Sequence, residues 1–295
     1  VVAGVRDAII LAGGIGTRML PASLFAPKEA LPLVDTPLIN HLIWEAAKAG
    51  ASRVHLVLSQ RKKDLLDQFI DGRVIHGDGV RVDLPRESLA LGAEGVKVIP
   101  HVQTNAGGVA DAISVAIGQV DGPVLVILGD MVIMDRHVSP KRTGVKEASG
   151  ASLELVDMFE RTGVPNVGVC PVESKHVDKY GVVRLTGDKV VEIIEKPSRS
   201  EAPSNYVLCG RYVLPSDTKE IIQKYPISEF GELQSIHMLN RIISETGLSY
   251  VEMENMVMYD SGDPLTWLKS QVDYALRRED MARSFSKWLE DRLAE

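Results

Sequence analysis

Gly13, Gly14, Gly16, Thr17 and Arg18 stand directly after the apolar run Ala8-Ile9-Ile10-Leu11-Ala12. A strand that runs into glycines is a phosphate-binding device. Without a Cβ the backbone can approach a polyphosphate closely, and successive N–H groups point at the anion. Arg18 and Lys28 place fixed positive charge beside that cradle. Two common phosphate loops are excluded. G-x-x-x-x-G-K-[ST] requires a lysine that this stretch lacks, and G-x-G-x-x-G requires a glycine where Met19 stands. A glycine cluster alone also reads as an ordinary turn. Thr17-Arg18 and Pro27-Lys28-Glu29 weigh against that reading.

Leu125-Val126-Ile127-Leu128-Gly129-Asp130 is a second candidate. Ligands of open α/β sheets bind beyond the carboxyl ends of the strands, and Asp130 sits at such an end. A carboxylate facing a polyphosphate needs a cation between them, and Mg²⁺ held by one or two carboxylates plus phosphate oxygens supplies it. Asp260, in Tyr259-Asp260-Ser261-Gly262, is a second strand-end carboxylate that can share one metal ion with Asp130. Each aspartate also reads as a helix cap or turn residue. Gln103 precedes Thr104-Asn105-Ala106-Gly107-Gly108, and its amide carries the donor and acceptor that match N3–H and O4 of uracil or thymine, although on its own it also reads as a surface-loop glutamine. Lys196, after the strand-like run Ile193-Ile194-Glu195, reads as an anion ligand and Glu195 as an acceptor for sugar hydroxyls, and the pair also reads as a solvated strand end. In Tyr180-Gly181 the glycine either admits close approach of a ligand or begins a strand. The seven histidines show no metal-ligand spacing and no Ser-His-Asp or Cys-His pattern, so none is assigned to catalysis.

These residues need a scaffold, and the patterns supply one. Strand-like runs over Asp7–Ala12, Arg53–Ser59, Val96–Gln103 and Pro123–Leu128 alternate with helical runs over Pro37–Gly50, Arg61–Ile70 and Val109–Val120. Asp71–Gly95 reads as loop, and Thr143–Arg161 as one or two helices. Strands are expected over Asn166–Val172, Val182–Leu185, Val190–Ile194, Tyr206–Val213 and Ser249–Glu254, with helices over Ser216–Lys224, Glu232–Glu245 and Pro264–Arg278. The fold class is therefore α/β: a doubly wound, Rossmann-like, mixed and mainly parallel sheet flanked by helices. The later strand-rich part is expected as a small β-rich insertion beside the main sheet. Residues 1–295 form one domain, and 281–295 form a C-terminal amphipathic helix with Met281, Phe285, Trp288, Leu289 and Leu293 on one face. That face packs either on its own domain or on a partner subunit, and a homo-oligomer, dimer or tetramer, is expected.

Composition narrows the partners. With 33 basic and 40 acidic residues the net charge is −7, which argues against a general nucleic-acid or anionic-membrane binder. No apolar run is long enough to span a bilayer and no leader peptide is visible, so a cytoplasmic location is expected. The two cysteines, Cys170 and Cys209, read as buried reduced thiols.

In their order along the chain these pieces resemble the sugar-1-phosphate nucleotidyltransferases, closest to bacterial-type UTP–glucose-1-phosphate uridylyltransferases. The stretches that carry the resemblance are Gly16-Thr17-Arg18-Met19-Leu20-Pro21, Pro27-Lys28-Glu29-Ala30-Leu31-Pro32-Leu33-Val34-Asp35, Tyr180-Gly181-Val182-Val183, Glu195-Lys196-Pro197, and Ala202-Pro203-Ser204-Asn205 followed by Gly210-Arg211-Tyr212-Val213-Leu214. The resemblance implies a fold of the nucleotide-diphospho-sugar transferase type and a Mg²⁺-assisted reaction. In it, the sugar phosphate attacks the α-phosphorus in line and expels pyrophosphate. It further implies that Leu11, Ala12, Gly13, Gly14, Gly16 and Thr17 hold the nucleoside triphosphate. Arg18 takes the β and γ phosphates, Lys28 the α-phosphate region, and Gln103 and Gly108 the base. Asp130 and Asp260 hold the metal. Tyr180, Gly181, Glu195 and Leu208 hold the hexose, and Lys196 its phosphate. The chain departs from the family pattern at Leu128-Gly129-Asp130, at Thr104 after Gln103, and at Gly231-Glu232-Leu233-Gln234. Those departures leave open another nucleotide (dTTP, GTP or ATP) or a cyclitol phosphate. A catalytically silent nucleotide-sugar-binding regulator is the alternative of another class. It has no chemical reason to keep Arg18, Lys28, Asp130, Lys196 and Asp260 together.

Overall fold

A computed structural model describes residues 4–14, 16–63, 73–75, 81–83, 95–105, 107–135, 144–224 and 235–295. The helix expected over Arg61–Ile70 lies outside these residues from position 64 onward. So do most of the expected loop Asp71–Gly95, the departing segment 231–234 and the start of the helix expected at Glu232.

The strands are β1 (Asp7–Leu11), β2 (Pro32–Leu33), β3 (Thr36–Pro37), β4 (Arg53–Leu58), β5 (Arg73–Ile75), β6 (Arg81–Asp83), β7 (Lys97–Val102) and β8 (Val124–Leu128). They continue as β9 (Met131–Asp135), β10 (Asn166–Pro171), β11 (Gly181–Thr186), β12 (Lys189–Glu195), β13 (Tyr206–Leu214), β14 (Ser249–Glu252) and β15 (Met256–Asp260). Nine of them form one mixed sheet in the order β10-β14-β12-β11-β13-β8-β1-β4-β7. Parallel pairing runs through β8, β1, β4 and β7. The side chains of β1 alternate as the two-residue period of a strand requires. Ala8 and Ile10 enter one core with Leu42, Ile43, Leu155 and Phe159. Ile9 enters the other with Ile113, Ala116, Leu239 and Ile242. Both faces are buried because the helices Leu38–Lys48 and Ala151–Thr162 cover one side and Val109–Ile117 and Ser235–Glu245 the other.

Two features correct the sequence reading. The strand-rich part is not a sheet beside the first. β13 pairs antiparallel with β8, Arg211 opposite Ile127, so β10 to β14 extend the same sheet. Joining an existing edge pairs the backbone N–H and C=O groups that a free strand edge would leave open. The second feature is the two-stranded sheet of β9 and β15, in which Asp260 lies opposite Met131. β9 follows the Gly129-Asp130 turn directly, but its partner is over 100 residues away in sequence, so local pattern gives no hint of the pair.

The Ala282–Leu293 helix rests on the Pro264–Arg277 helix. None of its residues is buried, and Trp288 remains 52% exposed. No helix among the described residues is long and apolar enough to cross a membrane. Of the histidines, His55 and His101 form part of a buried network. His55 stands 2.9 Å from His101 and 3.1 Å from Asp7, which also takes two bonds from Arg53 at 2.6 and 2.7 Å. Asp7 opens β1, at the end of the strand away from the glycine loop, and the network runs from there through His55 in β4 to His101 near the opposite end of β7.

Candidate active site

The parallel register brings four strand ends to one edge. Leu11 lies opposite Val57 and Leu128, and Leu58 opposite Val102. The segments that follow these ends close around a cavity of about 630 Å³, within the size range of small-ligand sites. The glycine loop lines it with Gly13, Gly14, Gly16 and Thr17. Gln103 and Gly108 line it from the loop after β7, and Leu128 and Asp130 from the end of β8. At the junction Gly129 donates its backbone N–H to Leu11 O at 2.8 Å. A Cβ at Gly129 would stand 2.4 Å from that oxygen. Glycine meets both demands of this junction, an N–H to donate and no Cβ to clash.

Charge is concentrated on one wall. Lys28 Nζ, almost fully buried, donates to Asp130 Oδ2 at 3.0 Å. Behind it, Lys62 Nζ donates to Glu29 Oε2 and to the Ala12 carbonyl, both at 2.7 Å. Glu29 and Lys62 are themselves buried. Burial pushes the Glu29 carboxyl up and the Lys62 ammonium down, and their mutual attraction opposes both shifts. Lys62 thus anchors the backbone of the glycine loop and the segment that carries Lys28. It stands in a charged run, Arg61-Lys62-Lys63, that reads as a solvated face, so only the fold shows its place.

β9 and β15 bring the two aspartates to one spot. Ser261 donates to the Asp130 carbonyl from its backbone N–H at 2.8 Å and from its hydroxyl at 2.9 Å. Asp260 Oδ1 accepts from the Gly262 N–H at 2.7 Å, and its Oδ2 meets Arg18 Nη1 at 3.1 Å. Arg18 therefore pairs with Asp260 rather than lining the cavity with the glycine loop. Tyr180 faces this pair. Its hydroxyl titrates above the ordinary tyrosine value through burial and the nearby Asp260 charge. The donor set suits a hard cation: two carboxylates on adjacent strand ends. Among the described residues no group of three or more His, Cys, Asp or Glu side chains is placed to hold a metal. An ion of the Mg²⁺ kind takes its remaining ligands from substrate oxygens and water, which matches these two residues.

The residues expected around the sugar form a separate group. Gly181 lies opposite Glu195 across β11 and β12. A Cβ at Gly181 would stand 3.2 Å from Leu208 and 3.4 Å from Glu195 Oε2. Lys196 has a positive φ of 44°, gives its backbone N–H to Tyr180 O at 3.0 Å, and meets Glu195 Oε1 at 3.4 Å. Its side chain is mostly exposed. None of these five residues lines the 630 Å³ cavity.

Two residues that sequence reasoning passed over support the site from below. Arg211 is fully buried on β13 and forks onto Glu45 of the Leu38–Lys48 helix, at 2.7 and 2.8 Å. A further donor of Arg211 reaches the Met131 carbonyl at 3.0 Å, directly beside Asp130. Arg211 stands in the stretch Gly210-Arg211-Tyr212, but nothing local marks its partner 166 residues away.

A family model described as nucleotidyl transferase matches residues 7–275. The Escherichia coli K12 protein named UTP–glucose-1-phosphate uridylyltransferase is 32% identical over 302 residues, covering 98% of this chain and 96% of that protein. The protein of the same name from Mycoplasma genitalium is 29% identical, covering 95% and 94%. Among solved structures, the UDP-glucose pyrophosphorylase of Acinetobacter baumannii superposes with a TM-score of 0.80 at 23% identity, over 97% of this chain and 99% of that one. That likeness establishes the nucleotide-diphospho-sugar transferase type of fold. Because the family match runs from β1 to the Pro264–Arg277 helix, across every element that shapes the cavity, the chain belongs to the nucleotidyl transferase family.

Proposed function

We propose that this chain transfers a uridylyl group from UTP to glucose 1-phosphate, forming UDP-glucose and pyrophosphate. A phosphate oxygen of the sugar phosphate forms the new bond to the α-phosphorus. The bond from that phosphorus to the bridging oxygen of the β-phosphate breaks, and its electron pair leaves with pyrophosphate. No protein nucleophile is required, only alignment and charge neutralisation. The observation that carries this reading is the Lys28–Asp130 pair at 3.0 Å on the wall of the cavity that the glycine loop closes.

The glycine loop cradles the triphosphate with backbone N–H groups. Lys28 turns from Asp130 toward the α-phosphate, where negative charge accumulates in transit. Arg18, already held by Asp260, faces the outgoing pyrophosphate. Glu195, Gly181 and Leu208 hold the hexose, and Lys196 its phosphate. Asp130 and Asp260 would hold Mg²⁺, which when bound neutralises phosphate charge and steadies the in-line geometry. The names of the relatives, UTP–glucose-1-phosphate uridylyltransferases, support the choice of UTP and glucose 1-phosphate. A pyrophosphate-release assay across nucleoside triphosphates and sugar 1-phosphates tests the reading. UTP with glucose 1-phosphate is expected to lead, with dTTP tolerated within about two orders of magnitude. Efficient use of ATP or GTP with little use of UTP would overturn it.

A further inference from the structure

We infer that Asp111, which does not line the cavity, is the positioning residue that fixes which end of the Gln103 amide meets the nucleobase. Through Gln103 it selects a base that carries a ring N3–H, uracil or thymine, against cytosine. The inference rests on the uridylyl-transfer reading above and specifies how its base is chosen.

Gln103 stands one residue past the end of β7, and its backbone N–H donates to Leu58 O at 2.8 Å. The side chain therefore starts from a sheet-fixed point. Its Nε2 donates to Asp111 Oδ2 at 2.7 Å and to the Gly108 carbonyl at 3.3 Å. Both partners are pure acceptors. Only the NH₂ end of the amide satisfies them, so the network has one solution for an amide whose two ends are otherwise interchangeable in shape. The reversed amide would place its oxygen against a carboxylate oxygen and a carbonyl oxygen together.

The consequence is a one-sided reader. Both amide hydrogens are directed to protein acceptors, and Oε1 is turned toward the glycine loop. A Cβ added to Gly13 would stand 2.8 Å from it. The expected donor–acceptor match of Gln103 to uracil is thus cut to its acceptor half. An acceptor fixed at this point pairs with the N3–H of uracil or thymine. Cytosine presents a bare lone pair at N3, and two lone pairs facing each other in a partly buried site are strongly disfavoured.

The neighbouring sequence makes room for this arrangement. Asp111 lies in the first turn of the Val109–Ile117 helix. A Cβ on Gly107 would stand 2.6 Å from the Asp111 Cγ and 2.7 Å from its Oδ2. Gly108 has φ 90°, and its carbonyl is the second acceptor for Gln103. Gly107-Gly108 and Asp111 therefore act together to seat the Gln103 amide. An aspartate in a first turn also stabilises the helix through its dipole. That role alone predicts nothing about base choice, and base choice separates the two.

The test is the ratio of kcat/KM for UTP to that for CTP, at saturating glucose 1-phosphate, in the wild type, Asp111→Asn and Asp111→Ala. Asparagine keeps the shape but offers a donor, so the Gln103 amide can reverse and present its NH₂ to cytosine N3. The ratio is expected to fall at least tenfold in Asp111→Asn and also to fall in Asp111→Ala, with CTP efficiency holding or rising as UTP efficiency drops. If both efficiencies fall in parallel and the ratio is kept, Asp111 is merely structural and the inference is overturned. It is also overturned if the wild type uses CTP as well as UTP. Should Asp111→Asn fail to fold, the ratio in Asp111→Ala decides. A wild type that prefers a purine triphosphate overturns the uridylyl reading itself, an outcome distinct from an Asp111 variant that leaves a UTP preference unchanged.

Discussion

Replacing Arg211 by methionine isolates the support beneath the aspartate pair. In the native fold Glu45 is buried with both carboxylate oxygens engaged. Oε1 accepts from Arg211 Nε at 2.7 Å and from the Ser152 hydroxyl at 2.5 Å, and Oε2 accepts from Arg211 Nη2 at 2.8 Å. Arg211→Met removes the two charge-assisted bonds to Glu45, each contributing about 1.5–3 kcal/mol. It also leaves Glu45 as an uncompensated buried charge, a change that typically costs about 3–5 kcal/mol. The two estimates meet near ~4 kcal/mol. At about 2–4 °C per kcal/mol for a chain of this size, Tm should fall by roughly 8–16 °C. Urea denaturation at pH 7 gives the free energy, and scanning calorimetry gives Tm. The companion variant joins Arg211→Met to Glu45→Leu, which removes both charges and should recover most of the loss. Turnover should stay low even in that double variant, because the bond from Arg211 to the Met131 carbonyl beside Asp130 is gone. An Arg211→Met protein within about 1 kcal/mol of the wild type, or a double variant that loses the sum of the two singles, would refute the reasoning.

The other expectations concern the metal, the sugar phosphate and pH. Asp130→Asn should cut turnover by at least about 10²-fold at saturating Mg²⁺; near-normal steady-state rates would remove Asp130 from the metal site. Lys196→Ala should weaken sugar-phosphate binding by about tenfold while nucleotide affinity stays within about threefold. Calorimetric titration of each ligand checks this, and the reverse pattern means that Lys196 is misplaced. His41 is held neutral down to about pH 4 by burial, its Nε2 has no hydrogen-bond partner, and its ring packs edge-on against Trp44 and Tyr274. The unfolded chain protonates this histidine first, near pH 6.5. Its contribution is therefore complete above about pH 6.5 and lost as pH falls toward 4. Tm should drop less between pH 7 and pH 5 in His41→Gln than in the wild type, and equal drops would exclude His41 as the cause.

Much of the parallel half of the sheet was legible in the chain. Ala8-Ile9-Ile10 and Leu125-Val126-Ile127 are apolar at every position, as strands covered on both faces must be, and they form β1 and β8. The placing of the glycine loop, Gln103 and Asp130 at one edge was legible from strand order, because each directly follows a parallel strand and the carboxyl ends of parallel strands share one edge. Less was legible where partners lie far apart in sequence. Nothing near Met131 marks β9 as the partner of β15. Nothing near Lys62 distinguishes it in sequence from Arg61 and Lys63 beside it, although it holds Glu29 and the Ala12 carbonyl.

The division is therefore physical. Residue types and strand-to-loop order, both local properties, determined the class of chemistry: phosphate-binding glycines, cations and strand-end carboxylates, with no nucleophile. Tertiary structure decided how those groups are paired and aimed. Only packing sets Arg18 against Asp260 and Lys28 against Asp130, buries the Arg211–Glu45 fork under β9, and seats Asp111 behind Gln103. A side chain's type fixes what bonds it can make. Which bonds remain for a substrate depends on the neighbours that folding has already given it, and those neighbours come from distant parts of the chain.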